Sequence, residues 1–193
     1  TLLSSISKSS ILKQFMRTTD ERFFVWFFYV LMLLINSAQH NPDKTITICQ
    51  FELSKAKRTV IRDFLKIMKS FEFYKESEWN KSENIYRFPN GSYIEFIGLD
   101  SSDIGKGFRR DILYMNEANK NGITLETFIQ LSTRCKITYV DYNPDNVFWV
   151  DTDVLTQPNA EKLVLTHLDN EFLPQQERTA ILNYAIKGYH NPA

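Results

Sequence analysis

A carboxylate that directly follows a short apolar run is the first candidate for chemistry in this sequence. Residues 112–115 read Ile-Leu-Tyr-Met, which is typical of a strand buried on both faces, and Asn116 and Glu117 come next. In open α/β sheets, ligands bind just outside the carboxyl ends of the strands. Glu117 could therefore contact a nucleotide, a metal ion or a water molecule. For an isolated apolar run, a capping or solvent-facing role of Asn116 and Glu117 is the simpler interpretation.

A second set of polar residues ends the next predicted strand. Residues 136–142 are predicted to form this strand, and Asp141-Tyr142-Asn143-Pro144 closes it. Because neighbouring strand ends lie only about 5 Å apart, Asn143 could bind a water or phosphate held by Glu117. Taken by itself, Asn143-Pro144 is typical of a plain turn.

Three separated motifs resemble the ATPase domain of the large terminase subunits of tailed bacteriophages. They are residues 107–119 (GFRRDILYMNEAN), residues 128–134 (FIQLSTR), and residues 141–144 (DYNP) with Trp149. The resemblance covers most of the chain, from about Arg22 to residues 172–174, in the same order. It implies a motor domain that couples ATP hydrolysis to the packaging of double-stranded DNA into a procapsid, with ATP and Mg²⁺ as cofactors.

The resemblance also implies roles for the residues at the two strand ends. Glu117, after a Walker B-type strand, would orient and deprotonate the attacking water. Asn116 occupies the position where P-loop enzymes commonly have a magnesium-associated Asp, and no direct metal ligand is assigned. Asp141 and Asn143 would sense the γ-phosphate and couple hydrolysis to movement.

Two cations precede the acidic strand. Arg109 or Arg110 could serve a neighbouring subunit's site as an arginine finger, since a cation there stabilises charge that develops on a transferring phosphoryl group. Surface pairing with Asp103 or Asp111 is the simpler interpretation of either arginine.

The partners implied by the resemblance are double-stranded DNA, the portal protein and the small terminase subunit. A homo-oligomeric ring is expected during packaging, and a monomer in isolation is left open. The implied location is the host cytoplasm, with transient attachment to the viral procapsid.

The phosphate-binding loop of such a domain is missing from the 193 residues. None of the six glycines is followed by Lys-Ser or Lys-Thr. Residues 22–26 are predicted to form a strand and residues 27–38 a buried helix, and no turn residue separates them. We expect that about ten residues are absent at the Trp26-Phe27 junction, the approximate length of such a loop. The alternative is a nucleotide-free structural or binding module with a degenerate P-loop fold.

Composition is consistent with one globular domain that lacks a global basic field. The chain has 23 basic and 23 acidic residues, so any contact with DNA must be local. The basic residues between 55 and 66 form either a solvated helix face or a DNA or subunit contact. We expect a single domain over residues 1–193, with an N-terminal arm and helix at 1–21 and no nuclease domain.

Membrane insertion is the weakest hypothesis for this sequence. The apolar run at residues 23–35 has thirteen residues, whereas a spanning helix needs about 20. No signal-peptide pattern precedes a small-residue cleavage site. We therefore expect a soluble protein without a membrane partner.

The elements that must position these residues follow an α/β pattern. We predict a P-loop NTPase-like, mostly parallel sheet flanked by helices, with an antiparallel hairpin insertion at residues 84–98 around Pro89-Asn90-Gly91. Further strands are predicted at 45–50 and 163–166, and helices at 54–70 with Ser54 as N-cap, after Thr124 as N-cap, and at 175–187. Cys49 and Cys135 are predicted to be buried free thiols within strands.

Overall fold

Strands rich in β-branched and aromatic residues form a six-stranded sheet in the computed structural model. The structure describes residues 25–100, 108–119, 122–143, 146–164 and 175–186. The strands are β1 (Thr45–Gln50), β2 (Trp79–Asn80), β3 (Ile85–Arg87), β4 (Tyr93–Gly98), β5 (Arg110–Met115) and β6 (Cys135–Val140). Their order across the sheet is β2-β3-β4-β1-β5-β6.

Most of the pairing in this sheet is parallel. β1 runs parallel to both β4 and β5, and β5 runs parallel to β6. β3 is antiparallel to β2 and β4, so the predicted hairpin is confirmed and β4 joins it to the main sheet. The register aligns Cys49 with Met115 and Met115 with Val140. The carboxyl ends of β1, β5 and β6 therefore lie side by side at one edge of the sheet.

The described helices belong to two compact units of the chain. They are α1 (Val25–His40), α2 (Leu53–Arg58), α3 (Val60–Ser70), α4 (Leu125–Ser132) and α5 (Gln175–Ile186), together with a 3-10 turn at Glu76–Glu78 and a π-helical turn at Val150–Val154. One unit comprises Leu31–Glu161 and contains the whole sheet. The other comprises Thr1–Val30 and Lys162–Ala193, of which residues 25–30, 162–164 and 175–186 are described.

Both faces of the sheet carry packed apolar side chains. Phe64 of α3 makes edge-to-face contacts with Phe96 and Tyr86, at ring-centroid distances of 5.1 and 5.7 Å. Ile97 follows Phe96 and packs against a second cluster, since successive strand residues point to opposite faces. Residues of that second cluster from β1, β5, the turn after it and α4 are Cys49, Leu113, Met115, Ala118, Ile123 and Leu131. The predicted burial of residues 112–115 on both faces is confirmed, because each is at most 6% exposed.

The strand predicted at residues 22–26 is wrong at Val25 and Trp26, which lie in α1; residues 22–24 lie outside the described residues. A run of large apolar side chains without turn residues does not distinguish a buried strand from a buried helix. α1 continues through Trp26 and Phe27 without interruption. A continuous helix needs no loop at this junction, so a strand-to-helix turn is no longer a reason to expect missing residues there.

The predicted helix at 54–70 is divided in two at Thr59, whose φ and ψ are −117° and −96°. α2 begins at Leu53 with Glu52 at the N-cap position, so the prediction of Ser54 as N-cap is wrong. The prediction for Thr124 is confirmed, because its side chain accepts a hydrogen bond from the Thr127 backbone N–H at 3.2 Å.

The remaining sequence predictions have mixed outcomes. Cys49 and Cys135 are free thiols in strands as predicted, although Cys135 is only half-buried. Leu163 and Val164 are exposed and belong to no strand, contrary to the prediction, whereas residues 165–166 of that predicted strand lie outside the described residues. Among the residues that the structure describes, no helix combines the length and apolarity required to cross a membrane. The predicted arm and helix at 1–21 lie outside the described residues.

Gly98 ends β4 where the backbone of α2 passes close by. A Cβ atom at Gly98 would lie 2.5 Å from the Leu53 backbone nitrogen and 2.7 Å from the Leu53 Cβ. We expect Gly98→Ala to lower the free energy of unfolding by about 1–3 kcal/mol, because the backbone must shift to relieve the overlap. Urea denaturation measures this change, with Ser70→Ala at the exposed end of α3 as control. Equal stability of the two variants would show that α2 does not approach β4 this closely.

Candidate functional site

The carboxyl ends of β1, β5 and β6 are held together by backbone hydrogen bonds. The Asn116 N–H donates to the Cys49 carbonyl at 2.9 Å, and the Asp141 N–H donates to the Met115 carbonyl at 3.1 Å. The Ala118 N–H then donates to the Asp141 carbonyl at 2.9 Å. The turn that follows β5 is therefore fixed to both neighbouring strands, and this is where the sequence predicted polar chemistry.

The Asp141 carboxylate is the centre of this turn. Its Oδ1 accepts a 2.7 Å hydrogen bond from the Glu117 backbone N–H. The Asn116 side-chain Nδ2 lies 3.3 Å from Oδ1 and 3.2 Å from Oδ2, and it lies 3.5 Å from the Tyr114 hydroxyl oxygen. Asp141 thus fixes the backbone at Glu117 and the side chain of Asn116 at the same time.

Glu117 has a backbone conformation that side-chain-bearing residues rarely adopt. Its φ is +54°, in the left-handed region, which costs a residue with a Cβ roughly 1–2 kcal/mol. The hydrogen bond from its N–H to Asp141 helps to offset that cost. Residues held in such conformations cluster at functional sites, where the surrounding structure maintains them.

The Glu117 carboxylate accepts hydrogen bonds from two donors, one at the end of β1 and one in α2. Oε2 accepts from the Lys55 Nζ at 2.6 Å and from the Gln50 Nε2 at 3.1 Å. The Glu117 side chain is 30% exposed, and that of Lys55 is 37% exposed. The carboxylate is therefore accessible to solvent while its orientation is set by the protein.

Burial and a neighbouring negative charge shift the acidity of Asp141 and Tyr114. Desolvation raises the pKa of Asp141 from its ordinary 3.8 to about 6, although the bonds from Glu117 N–H and Asn116 oppose the rise and the Glu117 charge adds to it. Desolvation, and then the Asp141 charge, raise the pKa of Tyr114 well above its ordinary value. Tyr114 therefore keeps its proton at neutral pH, whereas Asp141 has a pKa of about 6.

The structure brings Asn116, Glu117 and Asp141 into contact at the strand ends, whereas the sequence analysis had paired Glu117 with Asn143. Asn143 is exposed, and its backbone carbonyl accepts a 2.7 Å hydrogen bond from the Asn119 side chain. The sensor role of Asn143 stays a prediction. Pro144 lies outside the described residues.

The two candidate arginine fingers have different surroundings. Arg109 is exposed, and its role as a finger stays a prediction. Arg110 is only 4% exposed, and its Nε donates to Thr47 Oγ1 at 2.9 Å. The role of Arg110 as a finger also stays a prediction, although its burial within this chain disfavours it.

The acidic candidates for surface pairing with these arginines also differ. Asp111 pairs with Lys136 at 2.7 Å and with Lys44 at 3.7 Å. Asp103 lies outside the described residues. Asp111 therefore neutralises lysines at the opposite end of the strand from Glu117.

Sequence reasoning missed Gln50, Lys55 and Thr59 as site residues. Thr59 donates its hydroxyl towards Gln50 Oε1 at 3.0 Å, and Gln50 bonds Glu117. A detectable signal was present, because Gln50 is a polar residue at the carboxyl end of the strand that pairs with β5. Lys55 was recognised only as part of a basic helix surface.

The implied cofactors fit this site only in part. Mg²⁺ prefers oxygen ligands, and the amide of Asn116 and the carboxylates of Glu117 and Asp141 supply oxygens at the strand ends. Within the described ranges, no group of three or more His, Cys, Asp or Glu residues could hold a metal ion. The sequence lacks the Gly-Lys-Ser/Thr segment that would bind phosphates.

Comparison with solved structures finds the same fold in phage large terminases. The large terminase of a thermophilic bacteriophage, in complex with ADP, has a TM-score of 0.61 and 18% identity, covering 81% of this chain and 40% of that one. A second structure of the large terminase from the same thermophilic phage has a TM-score of 0.56 and 18% identity, covering 83% of this chain and 42% of that one. The HK97 bacteriophage large terminase has a TM-score of 0.52 and 9% identity, covering 82% and 40%.

These similarities establish a large terminase-like fold, as the resemblance implied. The chain spans about two fifths of the length of these solved structures. No protein-family model and no curated protein matches the sequence.

The left-handed backbone at Glu117 reverses the usual order of stability of alanine and glycine variants. We expect Glu117→Gly to be more stable than Glu117→Ala by about 1 kcal/mol, because glycine adopts the left-handed conformation without penalty. Urea denaturation of both variants measures the difference. The same pair at Glu126 in α4 is the control, where glycine should be less stable than alanine by about 1 kcal/mol. Alanine as the more stable residue at both positions would contradict the strained geometry.

The raised pKa of Asp141 links stability to pH. The folded-state pKa of Asp141 lies above its ordinary value of 3.8, so the protonated carboxyl contributes stability that is fully present below about pH 3.8. This contribution is lost as the pH rises through about 6. We expect Asp141→Asn to reduce the fall in free energy of unfolding between about pH 4 and about pH 7, by on the order of 2–3 kcal/mol. Urea denaturation at both pH values measures it, and Asp153→Asn at an exposed position is the control. An unchanged pH dependence in Asp141→Asn would rule out this titration.

Proposed function

We propose that this chain is the ATPase domain of a phage large terminase and that it couples ATP hydrolysis to packaging of double-stranded DNA into a procapsid. The observation that carries the proposal is the junction of Glu117 and Asp141 at the carboxyl ends of β5 and β6. Ligands of open α/β sheets bind at this edge. The fold supports the same conclusion, since one of the similar large terminase structures is a complex with ADP.

Glu117 is the residue we assign to water activation. Its carboxylate is partly exposed and lies just beyond the strand end, where it can accept a proton from a water molecule. Asp141 serves differently, because its oxygens already bind the Glu117 N–H and the Asn116 amide. Asp141 therefore maintains the geometry of the turn, and Glu117 is the carboxylate available for chemistry.

Asn116 is the residue we assign to the magnesium side of the site. Its Nδ2 faces Asp141, so its amide oxygen is the atom suited to a metal-bound water. When bound with ATP, Mg²⁺ would neutralise charge on the phosphates. The sequence supplies no Gly-Lys-Ser/Thr segment. The proposal therefore depends on the fold and the strand-end residues rather than on a phosphate loop.

The wider partners belong to the same proposal. Double-stranded DNA would be the translocated substrate, and the portal protein and the small terminase subunit would be protein partners. We further propose a homo-oligomeric ring during packaging, in the host cytoplasm and transiently on the procapsid. Arg109, which is exposed, is the candidate that we favour for a finger towards a neighbouring subunit.

Exposed basic residues on α2 and α3 form a candidate surface for contact with DNA, although the net charge of the chain is zero. Lys57, Arg58 and Arg62 are exposed on α2 and α3, whereas the acidic residue among them, Asp63, is buried and pairs with Arg62. Side chains of this kind neutralise phosphates without reading sequence. This surface is the part of the chain that we assign to the DNA backbone.

ATP hydrolysis by purified protein tests the proposal. We expect Glu117→Gln to lower turnover by about 10²-fold or more while ATP still binds, because the amide cannot accept the water proton. A coupled phosphate-release assay measures turnover, and titration with a fluorescent ATP analogue measures binding. Glu126→Gln on α4 is the matched control, since Glu126 lies outside the strand-end site.

Two outcomes would contradict the proposal in different ways. Turnover by Glu117→Gln equal to that of the wild type would remove Glu117 from water activation. Complete absence of saturable ATP binding by the wild-type protein would favour a nucleotide-free structural or binding module with the same fold.

A further inference from the structure

Gln50 is a buried polar residue that lies beside the Glu117 carboxylate. It ends β1 and is only 2% exposed. Its Nε2 donates to Glu117 Oε2 at 3.1 Å, and its Oε1 accepts from the Thr59 hydroxyl at 3.0 Å. Both ends of the amide are therefore occupied, as a buried polar side chain requires.

The Glu117 carboxylate determines which way the Gln50 amide points, and Thr59 anchors the other end of the amide. A carboxylate only accepts hydrogen bonds, so the amide must direct its N–H groups to Glu117 and its oxygen to Thr59. The Thr59 hydroxyl has one proton, which Gln50 Oε1 and the Lys55 carbonyl share at 3.0 and 2.9 Å. The opposite orientation of the amide would place two oxygens against each other.

The backbone at Thr59 departs from helical geometry at this point. The values of φ and ψ, −117° and −96°, interrupt what the sequence predicts as one helix from 54 to 70. This break separates α2 from α3 and coincides with the hydroxyl contacts to Gln50 and Lys55. The interruption of the helix and the network therefore occur at the same residue.

Lys55 and Gln50 hold the same carboxylate oxygen with different rigidity. The Lys55 ammonium lies 2.6 Å from Glu117 Oε2, but its side chain is 37% exposed and has a flexible stem. Gln50 is buried and anchored at both ends. Because both donors bind Oε2, they set the rotation of the carboxylate and direct Oε1 away from the network.

We propose that Gln50, anchored by Thr59, is the positioning residue that sets the Glu117 carboxylate for accepting a proton from water. Lys55 supplies charge balance to the same oxygen and is the adjustable partner. This inference deepens the function proposed above and rests on it. Without the Thr59 hydroxyl, the Gln50 amide can rotate and the carboxylate follows the more mobile Lys55.

Paired substitutions at Thr59 test the positioning role by activity. Thr59→Val keeps the shape of the side chain and removes the hydroxyl, and Thr59→Ser restores the hydroxyl. We expect Thr59→Val to lower kcat for ATP hydrolysis about tenfold or more, with KM for ATP within about twofold, since misplacement of a catalytic group acts on the chemical step. Thr59→Ser should recover most of kcat. Thr156→Val, at an exposed position, is the control for replacing a threonine.

A second readout does not depend on hydrolysis. The side-chain amide protons of Gln50 should exchange slowly with water in the wild type and in Thr59→Ser, and at least about tenfold faster in Thr59→Val. Nuclear magnetic resonance of ¹⁵N-labelled protein measures both rates. Gln50→Leu identifies the signals by their loss, and Gln50→Met serves if Gln50→Leu does not fold.

The two readouts separate failure of this inference from failure of the proposed function. In an active protein, equal kcat for Thr59→Val and wild type would overturn the positioning role. If the wild type does not hydrolyse ATP, the proposed function fails, and the exchange rates decide whether Thr59 anchors Gln50. Equal exchange rates in all three proteins would overturn the anchoring by Thr59.

Discussion

The hydrogen bond from the Glu117 backbone N–H to the Asp141 carboxylate is the interaction on which the site depends. It joins the turn after β5 to the end of β6 and helps to maintain a left-handed backbone conformation at Glu117. The same carboxylate binds the Asn116 amide. Desolvation at the strand ends disfavours the charged form of Asp141 and raises its pKa. One half-buried acid, Asp141, therefore organises the second acid, Glu117, which is left partly open to solvent.

The Glu117 side chain is held by residues on the β1 side of β5. Gln50 at the end of β1 and Lys55 in α2 bind the Glu117 side chain, while Asp141 binds its backbone. Parallel pairing makes this possible, since the carboxyl ends of β1, β5 and β6 meet at one edge. Glu117 is thus held from two strands at once, and the fold shared with phage large terminases provides the arrangement.

Sequence patterns correctly predicted the elements that have a clear hydrophobic pattern or typical turn and cap residues. The apolar run before Asn116, the hairpin around residues 89–91 and the Thr124 cap all match the structure. The strand predicted to include Val25 and Trp26 is a helix in the structure, because apolar character alone does not distinguish a strand from a helix. The contacts of Gln50 and the burial of Arg110 depend on which strands become neighbours, and that information is not local in sequence.

The most direct test is a crystal structure of the protein with Mg²⁺ and a non-hydrolysable ATP analogue. We expect phosphates at the carboxyl ends of β5 and β6, with the Glu117 carboxylate facing the terminal phosphate and Asp141 still bound to the Glu117 N–H. A nucleotide bound elsewhere on the chain, or a Glu117 side chain turned away from the phosphates, would contradict the assignment of Glu117 to water activation at this edge of the sheet.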